Sequence, residues 1–458
     1  MSADIVDLAI VGAGPAGLAA ACEARKWGMS VAVLDEQPAT GGQIYRAVDA
    51  ASPHRLSVLG EDYAAGMELT RAFAMSGAQH LPGAAVWNVG RDLKVNFVRQ
   101  SVNEALQARR IILASGAMER PFPIPGWTYP GVMGAGAAQI LFKSAGALPS
   151  QPVVLAGCGP LLYLLANQYL QAGVELKAVI HTTQQSDYVR ASSHVFGALR
   201  GWRDLRKGMR MLAQLRRHRV PVYAGAQALA IQGNERAEAI SFIYKGQLHR
   251  IKSALILLHQ GVVPNTQLSW SLGAKHRWND AQLCWEPETD DYGQLEDSGI
   301  YVAGDSRGIV GAKASASQGR LAAIEIARRL GCGDRETRDN RETTVRKELA
   351  SQLHIRPFLD ALYRPPTAHR IPQDDAVVVC RCEEVTAGQI RKYADLGCQG
   401  PNQTKAFGRC GMGPCQGRLC GLTVTELIAE ARGVTPGEVG YYRIRPPIKP
   451  VTLSELAG

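Results

Sequence analysis

"DLAIVGAGPAGLAAACEARKWGMSVAVLDEQ" spans residues 7–37, and its spacing decides the fold. Residues 7–11 read as a buried strand. Gly12, Gly14 and Gly17 follow, with Pro15 and Ala16 between them, and an alanine-rich helix begins there. A second strand, SVAVLDE, ends in Asp35 and Glu36. Each part has a physical role. Gly12 permits a tight turn. Gly14 lets main-chain N–H groups approach a pyrophosphate, and Gly17 lets the helix pack close to the strand. The helix N-terminus favours phosphate charge. An acid about twenty positions on accepts hydrogen bonds from ribose hydroxyls, and Asp35 stands eighteen beyond Gly17. Strand, helix, second strand and terminal acid in register specify a dinucleotide site.

FAD and NAD share this fingerprint, so later segments decide between them. TGGQIYR (40–46) follows the second strand and offers bare backbone at Gly42 and Gln43. RRIILASGAMERP (109–121) is a buried strand ending in Ser115 and Gly116. GIYVAGDSRG (299–308) is another, ending in Gly304 and Asp305 ahead of a helical stretch. An Asp at a strand end beside a helix N-terminus can hold a ribityl hydroxyl. In this order the stretches resemble the two-dinucleotide-binding-domain flavoproteins, an α/β fold of the glutathione-reductase type. That resemblance implies FAD. It also implies an FAD domain built from residues 1–118 and 290–335, with Val86 in the cofactor lining.

PVVLAGCGPLLYLLANQYLQAGVELKAVIHTT (152–183) is a second βαβ-like unit, within a domain expected over 119–289. It departs from the fingerprint twice. Leu162 stands where the third glycine belongs, and the second strand ends in His181 and Thr182 without an acid. NAD(P)H is therefore not expected as hydride donor. A vestigial site and a site for another adenine nucleotide both stay open.

Cysteines carry the third signal. Cys22, Cys158, Cys284 and Cys332 show no redox-dithiol spacing, so disulfide reduction is not expected. A charged helical stretch and the proline-rich RPPTAHRIPQDD make 336–376 a helical linker. Beyond it come VVVCRCEE, with Cys380 and Cys382, and RCGMGPCQGRLC, with Cys410, Cys415 and Cys420. Structural zinc sites usually pair ligands as C-x2–4-C, and C-x-C departs from that. Four thiolates also suit a [2Fe–2S] cluster, and a flavin nearby would supply electrons. The residues alone leave both metals open.

CRCEEVTAGQI, KAFGRCGMGPCQGRLCGLTVTEL and LLHQGVVPNTQLSW are similar to the A (alpha) subunits of opine and dye-linked amino-acid dehydrogenases. The B subunit of hydrogen cyanide synthase and the alpha subunit of sarcosine oxidase are related. The likeness covers nearly the whole chain. It implies a small [2Fe–2S] domain over 377–440, similar to bacterioferritin-associated ferredoxin, and an extended tail over 441–458. It implies Cys380, Cys382, Cys415 and Cys420 as ligands, with Cys410 a neighbour bonded to no iron. It further implies a partner FAD subunit of the amino-acid-oxidase type, a small third subunit, FMN at the subunit interface and a nucleotide in the second domain. The chain would relay electrons from an amino acid or opine oxidised in the partner. An NAD(P)H-dependent ferredoxin-type reductase and a glycine dehydrogenase subunit of the cyanide-forming kind are the alternatives. The chain shows no acid–base pair or nucleophile motif, which fits a relay subunit.

Composition sets the outer limits. The 458 residues are 46% hydrophobic and 20% charged, ordinary for a globular protein of several domains. MSADIVDLAI has no basic leader region, and no apolar run is long enough to span a membrane. A cytoplasmic protein with reduced cysteines is expected. The net charge is +10, and residues 200–219 carry eight Arg/Lys against one Asp. That stretch reads as a solvated helix face, or as a dock for an acidic partner or anionic membrane. Nucleic acid is a poor third choice, since no binding motif accompanies the run.

Overall fold

The computed structural model describes residues 5–457. The expectation that no leader precedes the first strand rests partly on residues 1–4, outside the described residues. The first sheet contains β1 (Val6–Val11), β2 (Val31–Asp35), β3 (Gln79–Pro82), β4 (Ala85–Val89), β5 (Lys94–Arg99) and β6 (Val102–Leu113) in the order β3-β2-β1-β6-β5-β4. β6 has two parts. Its first half pairs antiparallel with β5, while its second half pairs parallel with β1 and with the late strand Ile300–Val302. Its burial follows the same division: the second half has Ile111, Ile112 and Leu113 at the centre of the sheet, almost fully buried.

The helix Pro15–Lys26, α1, starts at Gly14 with Pro15 in its first turn, where a missing N–H costs nothing. It packs against the helix Ala312–Leu330 at very short range. A Cβ on Gly319 would stand 2.1 Å from the Ala16 carbonyl oxygen, and one on Gly17 would stand 1.9 Å from that of Gly12. The return segment therefore closes the first domain over the helix that follows the glycine turn.

The second sheet is all parallel, in the order 222–224, 176–181, 153–158, 256–260, 132–134. Leu162 is fully buried within the helix Pro160–Gln171, so the bulky third position is absorbed into the core. A three-stranded antiparallel sheet, 227–233, 237–244 and 247–252, packs beside it.

The stretch expected to be a linker is folded onto the body. Arg335–Leu353 is a helix, and its Arg341 grips the buried Glu23 of α1 through two nitrogens. Two short helices follow, Arg356–Leu362 ahead of the proline-rich part and Thr367–Arg370 within it. Proline there limits helix length without making the segment extended.

Beyond it, the helix Gly421–Arg432 anchors the cysteine-bearing domain. Arg370 pairs with Glu426 of that helix, and both are buried. Arg370→Met leaves a buried carboxylate uncompensated, at about 3–5 kcal/mol. Thermal unfolding followed by circular dichroism should show an early loss of helix. The double variant Arg370→Met/Glu426→Met should recover most of it. An unshifted single variant would show that the pair does not hold this domain. No helix among the described residues is long and apolar enough to cross a membrane.

Candidate functional site

The glycine turn has the geometry of a phosphate cradle. Gly12 sits at φ +110°, and a Cβ there would meet the Ala114 carbonyl oxygen at 2.4 Å. Gly14 and Gly42 face one another, since a Cβ on Gly42 would meet the Gly14 Cα at 2.7 Å. Asp35 is engaged within the protein itself. Its carboxylate accepts the N–H of Ala13 at 2.6 Å and that of Gln37 at 2.7 Å, so it fastens the turn to the end of β2. Glu36 is the half-exposed acid beside it and pairs with Lys449 of the C-terminal tail. Val86 is buried in the sheet core, so its side chain packs inward.

Further sequence-derived residues gather on the same side. Ser115 donates to the Asn265 carbonyl at 2.9 Å, and the Asn265 N–H reaches the Gly116 carbonyl. The strand end 115–116 is thereby bound to the stretch GVVPNTQ. Gly304 approaches Ala16, where a Cβ would come to 2.8 Å of the alanine methyl. Asp305 accepts the N–H groups of Val310 and Gly311 on one oxygen. Gln43 stays in the loop after β2, and its carbonyl accepts from Lys143. Burial pushes the Lys143 ammonium down to about 7. Neither Lys143 nor Asn265 was legible in the sequence as a site residue, because each contributes through partners distant along the chain.

The second cleft differs. Dinucleotides bind outside the carboxyl ends of parallel strands. Here those ends meet the chain's own linker. The Cys158 thiol faces the Tyr363 carbonyl, and the His181 ring meets the Tyr363 ring edge-on. Gln260 donates to the His369 carbonyl. Burial lowers His181 to about 4, so it is neutral at pH 7.

Five of the six cysteines of the last domain converge. The sulfurs of Cys380, Cys410 and Cys420 lie within 4.8 Å of one another, all buried. Cys382, exposed, and Cys415, half-buried, are in mutual contact at the outer side. Cys410 thus belongs to the inner group, closer than a bystander in the loop. Hydrogen bonds from Cys410 and then Cys420 hold Cys380 down at about 2, while Cys410 is pushed up to about 12. Three sulfurs this close disfavour a second negative charge among them. The N–H of Gly411 points at Cys380 Sγ, 3.4 Å away. A Cβ on Gly413 would strike the Cys382 Cβ. The loop closes around the buried Tyr442: a Cβ on Gly411 or Gly417 would penetrate its ring, and its hydroxyl reaches Cys410 Sγ at 3.4 Å. A soft, all-sulfur set with a main-chain donor fits an iron–sulfur cluster.

This domain docks on residues 265–285, which fall within the stretch expected as the second domain but whose Leu268 and Leu272 pack into the core of the first sheet. Asn265, Thr266 and Gln267 share a narrow crevice with Arg418, Leu422 and Tyr441. Trp270 stacks on Tyr441 at 5.4 Å, with Trp285 beside both.

Two family models match the chain. Residues 6–329 match the pyridine nucleotide-disulphide oxidoreductase family and residues 377–458 the sarcosine oxidase A3 domain. The opine oxidase A subunit of Rhizobium meliloti is 47% identical over 99% of this chain and 88% of its own. That of Agrobacterium tumefaciens (strain Ach5) is 45% identical over 99% and 92%. The chain belongs to the family of opine oxidase A subunits. More distant members of the same kinship include the HcnB subunit of hydrogen cyanide synthase from Pseudomonas protegens, 30% identical over 97% of this chain and 96% of that one. The crystal structure of L-proline dehydrogenase from P. horikoshii shares the fold, with a TM-score of 0.74 at 20% identity over 99% of this chain and 80% of that one. As an opine oxidase A-type chain, the protein is an oxidoreductase with an FAD-type domain.

Proposed function

We propose that this chain is the electron-relay subunit of a heteromeric opine or amino-acid dehydrogenase. The observation that carries the reading is the docking of the cysteine-bearing domain against the GVVPNTQ edge of the flavin-type domain. FAD would lie over Gly12, Gly14 and Gly42, with its pyrophosphate at the N-terminus of α1 and its ribose at Glu36. The free oxygen of Asp305 would take a ribityl hydroxyl. A [2Fe–2S] cluster would be held by Cys380, Cys382, Cys415 and Cys420, and supplies one-electron transfer when bound. The side chains do the rest: Trp270, Trp285 and Tyr441 exclude water between the two domains, and Gly411 N–H stabilises negative charge at Cys380.

Substrate oxidation belongs to a partner FAD subunit of the amino-acid-oxidase type, with FMN at the shared interface and a small third subunit completing the complex. The isolated chain should oxidise no opine or amino acid. Mixed with that partner, it should couple substrate oxidation to reduction of a dye. Substrate turnover by the isolated chain would overturn the reading. We place the complex in the cytoplasm. The exposed Trp202 and Met209 beside Arg203, Arg206 and Arg210 would face the anionic inner membrane surface.

The second cleft also bears on the electron source. With Tyr363 set against Cys158 and His181, and no acid at the strand end, neither NADH nor NADPH should reduce the flavin. Anaerobic mixing followed at the flavin absorbance checks this. Rapid bleaching by either nucleotide would make the chain a self-sufficient reductase.

A further inference from the structure

A cavity of about 550 Å³ lies between the second domain and the folded linker. Its walls are largely apolar, from Ile124, Leu229, Ala230, Pro366 and Val377. Among the described residues no arginine or lysine lines it, and neither do Gly157 or Gly159. A phosphorylated ligand therefore finds no counter-charge and no glycine turn there. Gln184 and Gln227 line it too, but their amides are hydrogen-bonded, partly to each other. His369 is different. It is 4% exposed, it lines the cavity, and neither ring nitrogen has a hydrogen-bond partner among the described residues. A buried imidazole without partners is costly and marks a place where a ligand can satisfy it. Burial holds His369 down at about 4. It is then neutral at pH 7, with one nitrogen donating and the other accepting.

The cavity adjoins the cysteine domain. Val377 is three residues before Cys380 at the start of the strand Val378–Cys380. At the rise of a strand, that is about 10 Å along the chain. Trp127, which packs with Ile124 and Leu229, donates to the Val378 carbonyl at 2.7 Å. A ligand here lies beside the expected end of the electron path. It needs an apolar ring body, no charge, and a polar atom that accepts from an imidazole N–H.

We propose that this cavity binds a quinone headgroup, the acceptor of electrons leaving through the cysteine domain. The inference rests on the relay function proposed above. Two electrons from substrate oxidation, delivered singly, and two protons convert the quinone to a quinol. The neutral His369 holds one carbonyl oxygen by its N–H, and both protons come from solvent, entering where Gln373 and Asp374 are exposed at the cavity edge.

Decyl-ubiquinone binding to the full chain, read by quenching of tryptophan fluorescence, tests this without turnover. Saturable binding is expected. His369→Leu should weaken it about tenfold, the worth of one buried hydrogen bond. His369→Gln, which can both donate and accept, should recover most of it. Ala230→Trp should fill the cavity and abolish binding. All three variants should keep flavin, iron and dye reduction with the partner. Absence of saturable binding, equal affinity in His369→Leu, or displacement of the quinone by AMP or ATP overturns the proposal. If the quinone binds as expected but the complex lacks iron or reduces no dye, the relay reading fails while the site stands. If dye reduction is intact and quinone is not bound, the site fails and the relay reading stands.

Discussion

Replacing Cys415 or Cys420 by serine should empty the iron site. Iron should fall from about two atoms per chain to background. The low-temperature EPR signal of the reduced protein should vanish, and dye reduction should drop to the level of the partner by itself. Serine is nearly isosteric with cysteine, but its hydroxyl is a poor ligand for iron that prefers soft donors. Cys380→Ser and Cys382→Ser should behave alike. Cys410→Ser is the discriminating variant. Its sulfur lies within 4.8 Å of those of Cys380 and Cys420, so position alone does not set it aside. Its thiol is already engaged by the Tyr442 hydroxyl. With the proposed ligand set, Cys410→Ser keeps about two irons per chain. Loss of the cluster in Cys410→Ser, with retention in Cys420→Ser, would exchange the two roles. Zinc in protein isolated without oxygen would reject the cluster altogether.

Gly14→Val should yield a folded chain without flavin. The three glycines of the turn differ in what a side chain would meet. At Gly12 and Gly17 it would collide with backbone, so substitution there breaks the fold. At Gly14 the backbone is extended, with φ −81°, and a Cβ would have only the Gly42 Cα for company, at 3.8 Å. Valine is accommodated by the protein, and its branches occupy the space reserved for pyrophosphate. Overpacking of this kind costs about 1–3 kcal/mol, or roughly tenfold to a hundredfold in affinity. Far-ultraviolet circular dichroism should match the parent, while bound FAD measured after dialysis falls below about a tenth of the parent content, in line with that affinity loss. Full flavin content in a folded Gly14→Val chain would move the site elsewhere.

Much of this was legible because it is local. Three glycines at fixed spacing, a strand on either side and an acid at the second strand's end are all encoded within thirty-one residues, 7–37. Even there the assignment of labour was not. Asp35 and Glu36 are adjacent, and only the folded turn shows that Asp35 is held by Ala13 and Gln37. The proline-rich stretch read as a linker because proline and charge suit exposed chain. It is instead packed across the second sheet, where the main-chain carbonyls of Tyr363 and His369 find partners some two hundred residues upstream and more than a hundred upstream, respectively. Tyr442 was invisible for the same reason. Nothing in the spacing of Gly411 and Gly417 announces that an aromatic ring from beyond the next helix fits between them.

That ring sets an order of events. Tyr442 follows the helix Gly421–Arg432 along the chain, and Ile448 and Lys449 behind it reach back to Trp87 and Glu36 of the first domain. The thiol loop has no inner support until this segment has been made and has returned. A metal bound by this set would therefore be enclosed only after Tyr442 has been made, when every thiol of the set is already present. A stop codon at position 441 removes no cysteine, yet it deprives the loop of the peg around which it closes.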